Sequence, residues 1–339
     1  MLGHSDAPLS SAYDLVMLDL DGVVYVGSQA VPGAPDHIAR ARAAGLRCAF
    51  ITNNASRSPA TVAAHLRELG VEAGDSDVVT SAQAAARLLA DRLPRAARVA
   101  VLGSPALADE VRLAGLEPVE VDAPDALALV SGYGPDVLWR EVMRAAVRVR
   151  DGLWWVATNA DDSIPTDFGV APGHGVLVAT VSRFAGVNPL VAGKPERPLL
   201  DESVRRMGGE RPLMVGDRLD TDIAGAANAG VDSLLVLTGV TGIPELVRAR
   251  PEERPTYIAR DLGGLLESQP LPEHSAAETR CGGWAASVSD GRVVMAGRGS
   301  VDDWWRALAC AAWAHLDRTG EAVRTEDLTA PTDAASASR

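Results

Sequence analysis

Two aspartates stand two residues apart where an apolar run ends: Leu15-Val16-Met17-Leu18 leads into Asp19-Leu20-Asp21-Gly22. Such a run reads as a buried strand over 14–20. Side chains alternate along a strand, so Asp19 and Asp21 point one way and Leu20 the other. Carboxylates held this close repel unless a cation or a proton lies between them. Three further stretches carry polar groups at similar places. Thr52-Asn53-Asn54 closes a strand over 46–52, and Gly193-Lys194-Pro195 precedes a helix over 195–207. In LMVGDRLDTDI a strand reaches Gly216-Asp217 and carries Asp220 and Asp222 into the next turn.

These residue types together support phosphoryl transfer. One carboxylate can attack phosphorus and form an acyl phosphate, and a second can protonate the leaving oxygen and then activate water. Charge builds on the equatorial oxygens, which calls for Mg²⁺, a lysine and hydroxyl or amide donors around them. Mg²⁺ takes carboxylate and carbonyl oxygens, and no His or Cys cluster competes here. Each stretch also has a plain structural reading. Asp-Gly makes turns, Thr-Asn-Asn can cap the helix that begins near Ser58, and Gly-Lys-Pro can be a surface loop. The acidic residues of GDRLDTD can face a helix N-terminus, which is the role expected of Asp220. Four such coincidences in one order are what the structural reading requires.

The elements that must hold these groups follow a repeating pattern. Apolar runs at 14–20, 46–52, 98–102, 126–131, 153–158, 211–216 and 232–237 alternate with helix-period segments at 33–44, 58–69, 81–92, 135–150, 195–207 and 219–229. This alternation specifies an α/β fold with a doubly wound, mainly parallel sheet, where chemistry gathers at the carboxyl ends of strands. The composition is ordinary for a globular chain of 339 residues, with 47% hydrophobic and 23% charged residues. A net charge of −13 argues against nucleic acid or an anionic membrane as partner. Cys48, Cys281 and Cys310 form no zinc or disulfide pattern, and no apolar run spans a bilayer, so a cytoplasmic location is expected.

In order, DLDGV, ITNN, GKP and GDRLDTDI resemble the four motifs of haloacid dehalogenase (HAD) superfamily phosphatases. The long insert between the second and third motifs, with TSAQAAARLL and TNADDSIP, resembles the NagD/4-nitrophenylphosphatase/phosphoglycolate phosphatase branch, which inserts a large α/β cap there. The likeness covers residues 13 to 265. It implies a discontinuous core of 1–80 and 190–270, a cap of 81–189, and an appendage with its linker and tail at 271–339. By the resemblance, Asp19 is the nucleophile and Asp21 the general acid/base. Thr52, Asn53, Asn54 and Lys194 bind the phosphoryl group, Thr52 by its hydroxyl and Asn53 by its amide. Mg²⁺ is held by Asp19, the Asp21 carbonyl and Asp217, with Asp222 behind them. Gly22 and Gly27 fall where the family has a mobile flap, and Val23 is usual for this branch. The branch hydrolyses small phosphate monoesters, and glycerol 3-phosphate or 2-phosphoglycolate is the expected substrate. Nucleoside monophosphates, sugar phosphates or transfer to another acceptor are the alternatives, with a regulatory protein on the same scaffold further off.

Other phosphate machinery does not fit. A Walker A loop needs Gly and Ser/Thr where Asn188 and Pro195 stand, and GYGPDV at 132–137 lacks the third glycine of a dinucleotide fingerprint. Within the insert, Asp161, Asp162, His174 and Arg183 are the candidates for substrate specificity. After 270 the pattern changes to a linker, a hairpin around Asp290-Gly291, and a helix with Trp305, Leu308, Ala309, Ala312 and Leu316 on one face. This ββα unit is too small to stand alone, so it is expected to dock through Trp304 or Trp305 and Trp313, or to serve self-association. The polar tail from 320 is expected to be disordered.

Overall fold

The computed structural model describes residues 2–166, 168–275 and 277–331. The chain divides into two compact units, Met1–Cys48 with Gly209–Arg339, and Ala49–Gly208. Helix Ser81–Arg92 packs on both Pro105–Leu113 and Pro198–Met207, which ties the start of the insert to the segment that follows it.

In the first unit, four parallel strands lie side by side in the order Tyr257–Ala259, Asp232–Val236, Pro212–Gly216, Leu15–Asp19. They are short and almost wholly buried, as β-branched and leucine-rich runs between helices must be. Asp14 sets the register of Leu15–Asp19 against Pro212–Gly216: its carboxylate accepts from Glu210 N and Arg211 N, both at 2.9 Å, and Leu15 then pairs with Pro212. Those amides, Glu210's first, hold the Asp14 carboxyl below its usual range. The expected strand 14–20 stops at Asp19. Leu20 turns the chain instead, its carbonyl accepting from Val24 N at 2.9 Å and Tyr25 N at 3.1 Å.

The C-terminal appendage is larger than a ββα unit. Strands Glu273–His274 and Thr279–Cys281 precede the hairpin Trp284–Ser289/Arg292–Gly297, making a four-stranded antiparallel sheet against helix Val301–Thr319. The supposed linker therefore pairs as strands, too short to show a period of two. Trp304, Trp305 and Trp313 are buried in one cluster with Leu235, Leu246 and Ile258 of the same unit. Trp313 Nε1 donates to Leu246 O at 2.7 Å, and buried Arg306 donates to Ile258 O at 3.1 Å. The appendage thus docks. Residues 320–331 also run on the sheet: Arg324 N donates to Gly291 O at 2.8 Å and Val323 is buried. The rest of the tail expected to be disordered, 332–339, lies outside the described residues. No described helix is long and apolar enough to cross a membrane, and Cys48, Cys281 and Cys310 are buried thiols rather than disulfides.

The second unit carries a five-stranded parallel sheet in the order Leu190–Val191, Trp154–Ala157, Ala128–Ser131, Arg98–Leu102, Glu117–Val119. Strand Arg47–Thr52 runs into this unit and pairs in parallel with Val78–Thr80. Helix His174–Ala185 was not legible from the sequence, because its apolar residues spread around it rather than along one stripe. His174, a candidate for substrate contact, is instead 3% exposed. Trp155 Nε1 donates to Ser131 Oγ at 2.8 Å, and the same Oγ pairs with His174 Nε2 at 3.1 Å. Burial pushes His174 down to about 4 from its ordinary 6.5, outweighing a hydrogen bond to the Ser131 main chain that pulls it up. A folded value below the unfolded one means stability is complete above about pH 6.5 and drains as pH falls toward about 4. Denaturation midpoints are therefore expected to fall over that window, by on the order of 3 kcal/mol in all. His174→Asn, which cannot take up the proton, should flatten the profile; an unchanged slope would refute the assignment.

Candidate active site

Asp19 is the last residue of its strand, where the sheet presents it at the carboxyl edge. Asp217 follows the neighbouring strand Pro212–Gly216. Asp222 returns to the same place through a π-helical turn, Leu219–Ile223. Oxygens of Asp19, Asp217 and Asp222 lie within 4.8 Å of one another, and the last two residues are each 1% exposed. Asp222 Oδ2 accepts from Arg218 N at 3.0 Å, while Asp220 faces outward and pairs with the Arg218 guanidinium at 2.8 Å. Asp21 lies past the strand end and its side chain is exposed, outside the carboxylate group. Gly22 and Gly27 both take positive φ, at +83° and +60°, and the hairpin Tyr25–Val26/Gln29–Ala30 spans the expected flap.

The carboxylates fit because glycines leave room for them. A Cβ on Gly22 would sit 2.5 Å from Asp217 Oδ2, one on Gly239 2.0 Å from the same atom, and one on Gly216 2.2 Å from Asp222 Cβ. Residues 238–241 form a cradle that the sequence reading missed, although its Thr-Gly-Val-Thr stretch follows a predicted strand. Val240 N donates to Asp217 Oδ2 at 2.6 Å, Thr241 Oγ1 to Asp217 O at 2.5 Å, and Thr238 Oγ1 to Gly22 O at 2.5 Å. Three hard oxygen donors, two of them buried, suit Mg²⁺.

In the second unit, Thr52 ends its strand, 6% exposed, with Oγ1 accepting from Asn54 N at 3.1 Å. Asn54 Oδ1 folds back onto Ser56 N at 2.8 Å, forming an Asx turn. Thr-Asn-Asn is not the cap of the next helix; Ser58 is, its Oγ accepting from Thr61 N at 3.2 Å. Asn53 meets Lys194: its Oδ1 accepts from Lys194 N at 2.8 Å and its Nδ2 donates to Lys194 O at 3.0 Å. Lys194 itself is 2% exposed. Gly193 must be glycine here, since a Cβ would fall 2.6 Å from Asn53 Oδ1. Asn53 O accepts from Ser81 Oγ at 2.5 Å and Asn159 Nδ2 at 2.8 Å. Neither Ser81 nor Asn159 was singled out by sequence, though both fall in the TSAQ and TNADD stretches.

The specificity candidates scatter. Asp161 Oδ1 accepts from Asn53 Nδ2 at 3.0 Å. Asp162 is exposed, and its carbonyl closes a hairpin to Gly173 N at 2.8 Å. Arg183 lies exposed in the last turn of its helix. His174 lines a cavity of about 350 Å³ with Gly132, Tyr133, Trp139 and Thr180.

The family model for haloacid dehalogenase-like hydrolases matches residues 16–117, and a second, for HAD-hydrolase-like proteins, matches 191–265. The chain is 44% identical over 316 residues to a D-glycerol 3-phosphate phosphatase of Mycobacterium tuberculosis, across 90% of this chain and 87% of that one. The chain belongs to the haloacid dehalogenase-like hydrolases. An acid sugar phosphatase of Staphylococcus saprophyticus is 33% identical over 75% of this chain and 97% of its own. Among solved structures, a glycerol phosphate phosphatase of M. tuberculosis in complex with magnesium superposes with a TM-score of 0.83, at 42% identity over 91% and 92% of the two chains. A 4-nitrophenylphosphatase of Thermotoga maritima gives 0.70 at 32% identity, over 76% and 98%.

For this HAD hydrolase the glycine cradle predicts a metal phenotype. Gly239→Ala should push Asp217 Oδ2 aside and weaken Mg²⁺ binding, read by calorimetry, on the order of 10- to 100-fold. Unchanged affinity would remove Asp217 from the ligand set.

Proposed function

We propose that the chain is a Mg²⁺-dependent phosphomonoesterase acting on glycerol 3-phosphate through a phosphoaspartate on Asp19. The observation that carries this reading is the convergence of Asp19, Asp217 and Asp222, the first at the edge of a parallel sheet. The likeness to phosphatases of glycerol 3-phosphate supports the substrate. Bound Mg²⁺, held by Asp19, Asp217, Asp222 and the main chain of Asp21, supplies positive charge against the phosphate and keeps the nucleophile ionised.

Asp19 attacks phosphorus as the carboxylate and forms the acyl phosphate. The exposed Asp21 carboxyl, outside the carboxylate group, gives its proton to the leaving glycerol oxygen. It then takes one from the water that cleaves the acyl phosphate, so each turnover restores both aspartates. The Thr52 hydroxyl and the Lys194 ammonium bind phosphoryl oxygens, with the Asn53 main chain beside them. Residues 1–80 and 190–270 act as the catalytic core and 81–189 as its cap. The buried thiols suit a cytoplasmic setting.

Self-association belongs to the same reading. Trp139, Met143 and Val147 recur every four residues on one helix, 65%, 56% and 39% exposed, and Val176 and Phe184 are exposed on the neighbouring helix. Aromatic and Met-rich patches of this kind mark protein interfaces. A dimer mass by light scattering is expected for the wild type and its loss for Trp139→Ser; a monomeric wild type at tens of micromolar would refute it.

Phosphate release from glycerol 3-phosphate, 2-phosphoglycolate, a sugar phosphate and a nucleoside monophosphate should require Mg²⁺, stop with EDTA, and favour the first. Asp19→Asn keeps the shape and removes the nucleophile, and should cost on the order of 10⁴-fold or more in kcat. Turnover by Asp19→Asn at the wild-type rate would rule out the phosphoaspartate.

A further inference from the structure

We propose that Asn53 acts as the positioning residue for Lys194, and that Asp161 locks Asn53 into that task. The inference rests on the phosphomonoesterase reading for its catalytic consequence, though not for its geometry. A side-chain amide offers two donor hydrogens and an acceptor oxygen. In Asn53 the oxygen takes Lys194 N, one hydrogen goes to Lys194 O, and the other goes to Asp161 Oδ1. The amide therefore pairs with both main-chain groups of Lys194, as a neighbouring strand would.

Its orientation is unambiguous. A flipped amide would set its oxygen against the Lys194 carbonyl and the Asp161 carboxylate, and its nitrogen against the Lys194 N–H. Only a side-chain amide carries the donors and acceptor for these three partners, and glutamine sets it one methylene further from the main chain. Aspartate has no hydrogen for Lys194 O and repels Asp161. An aliphatic side chain leaves both main-chain groups of Lys194 without these bonds, beside a residue that is 2% exposed. Asn53 is itself pinned from behind, since its carbonyl receives Ser81 Oγ and Asn159 Nδ2.

This arrangement matters because lysine is flexible. Four methylene torsions and a point charge deliver the ammonium reproducibly only when the main chain beneath it is held. The Asn53 side chain spends both hydrogens and its oxygen on protein groups. Whatever its loss does to the phosphoryl group therefore passes through Lys194. Asp161, which from sequence reads as a candidate substrate contact, becomes a support two links removed from the phosphate.

The test is a double-mutant cycle on the full chain, with two readouts: kcat and KM on glycerol 3-phosphate, and calorimetric affinity for inorganic phosphate in Mg²⁺. Asn53→Ala should lower kcat and phosphate affinity, kcat on the order of 10²-fold. In a Lys194→Ala background the same substitution should cost less than about twofold, because the group it positions is gone. Equal losses in both backgrounds would mean that Asn53 acts on substrate directly, and would overturn the proposal. Asp161→Asn, whose oxygen still accepts, should stay near the wild-type rate while Asp161→Ala falls; equal behaviour of the two would remove Asp161 from the chain. If thermal melts show Asn53→Ala unfolded, the cycle is run with Asp161→Ala against Lys194→Ala and read in the same way. A wild type that binds phosphate but turns over no ester would defeat the phosphomonoesterase reading alone. Non-additive phosphate affinities would then still support the clamp, and additive ones would overturn it.

Discussion

Three carboxylates brought within 4.8 Å of each other are a constraint that the first unit must satisfy before it can do anything else. Like charges at that separation, two of them buried, are tolerable only beside a cation or with a proton between them. The local structure is arranged around that requirement. Gly22, Gly216 and Gly239 lack side chains where any Cβ would strike Asp217 or Asp222. Amides of Val240 and Arg218 each donate to one of these carboxylates and fix its direction. The parallel strands leave their carboxyl ends for this purpose, and the apolar cluster shared with the appendage anchors strand Asp232–Val236, from which the 238–241 loop emerges.

The second unit solves a different problem, how to hold a buried lysine and a hydroxyl on loops. It does so with neutral amides rather than charges. Asn53 bonds to the main chain of Lys194, and Asn159 and Ser81 bond to the main chain of Asn53. Amide bonds of this kind cost little desolvation when all partners are satisfied, whereas a half-satisfied set would be worse than an apolar one. The side chain of Asn53 thus bonds to protein groups. Asn54 spends its side-chain oxygen on Ser56.

The buried polar network around His174 and the docking of the appendage show the same economy of satisfied groups. Trp155, Ser131 and His174 form a short hydrogen-bonded chain, and Arg306 reaches a strand carbonyl and Gln269 from within the appendage helix. Each buries a polar group that would be costly alone and specifies one packing when paired.

Much of this was determined by the sequence. Continuous apolar runs and period-3.6 patterns are local properties, so strands such as Leu15–Asp19, Pro212–Gly216 and Asp232–Val236 and the parallel α/β class could be read directly. So could the phosphatase class, because DLDGV, ITNN, GKP and GDRLDTDI stand in one order along the chain. What the tertiary structure decided were partnerships between residues distant in the chain. Only folding shows that Gly239 backs Asp217, that an Asp222 oxygen comes within 4.8 Å of those of Asp19 and Asp217, that Asp161 accepts from Asn53, and that His174 is buried. Strands of two or three residues, such as Glu273–His274, have no period to detect. A side chain's hydrogen-bond partner is set by which loops the sheets bring together, and no local pattern of residues contains that information.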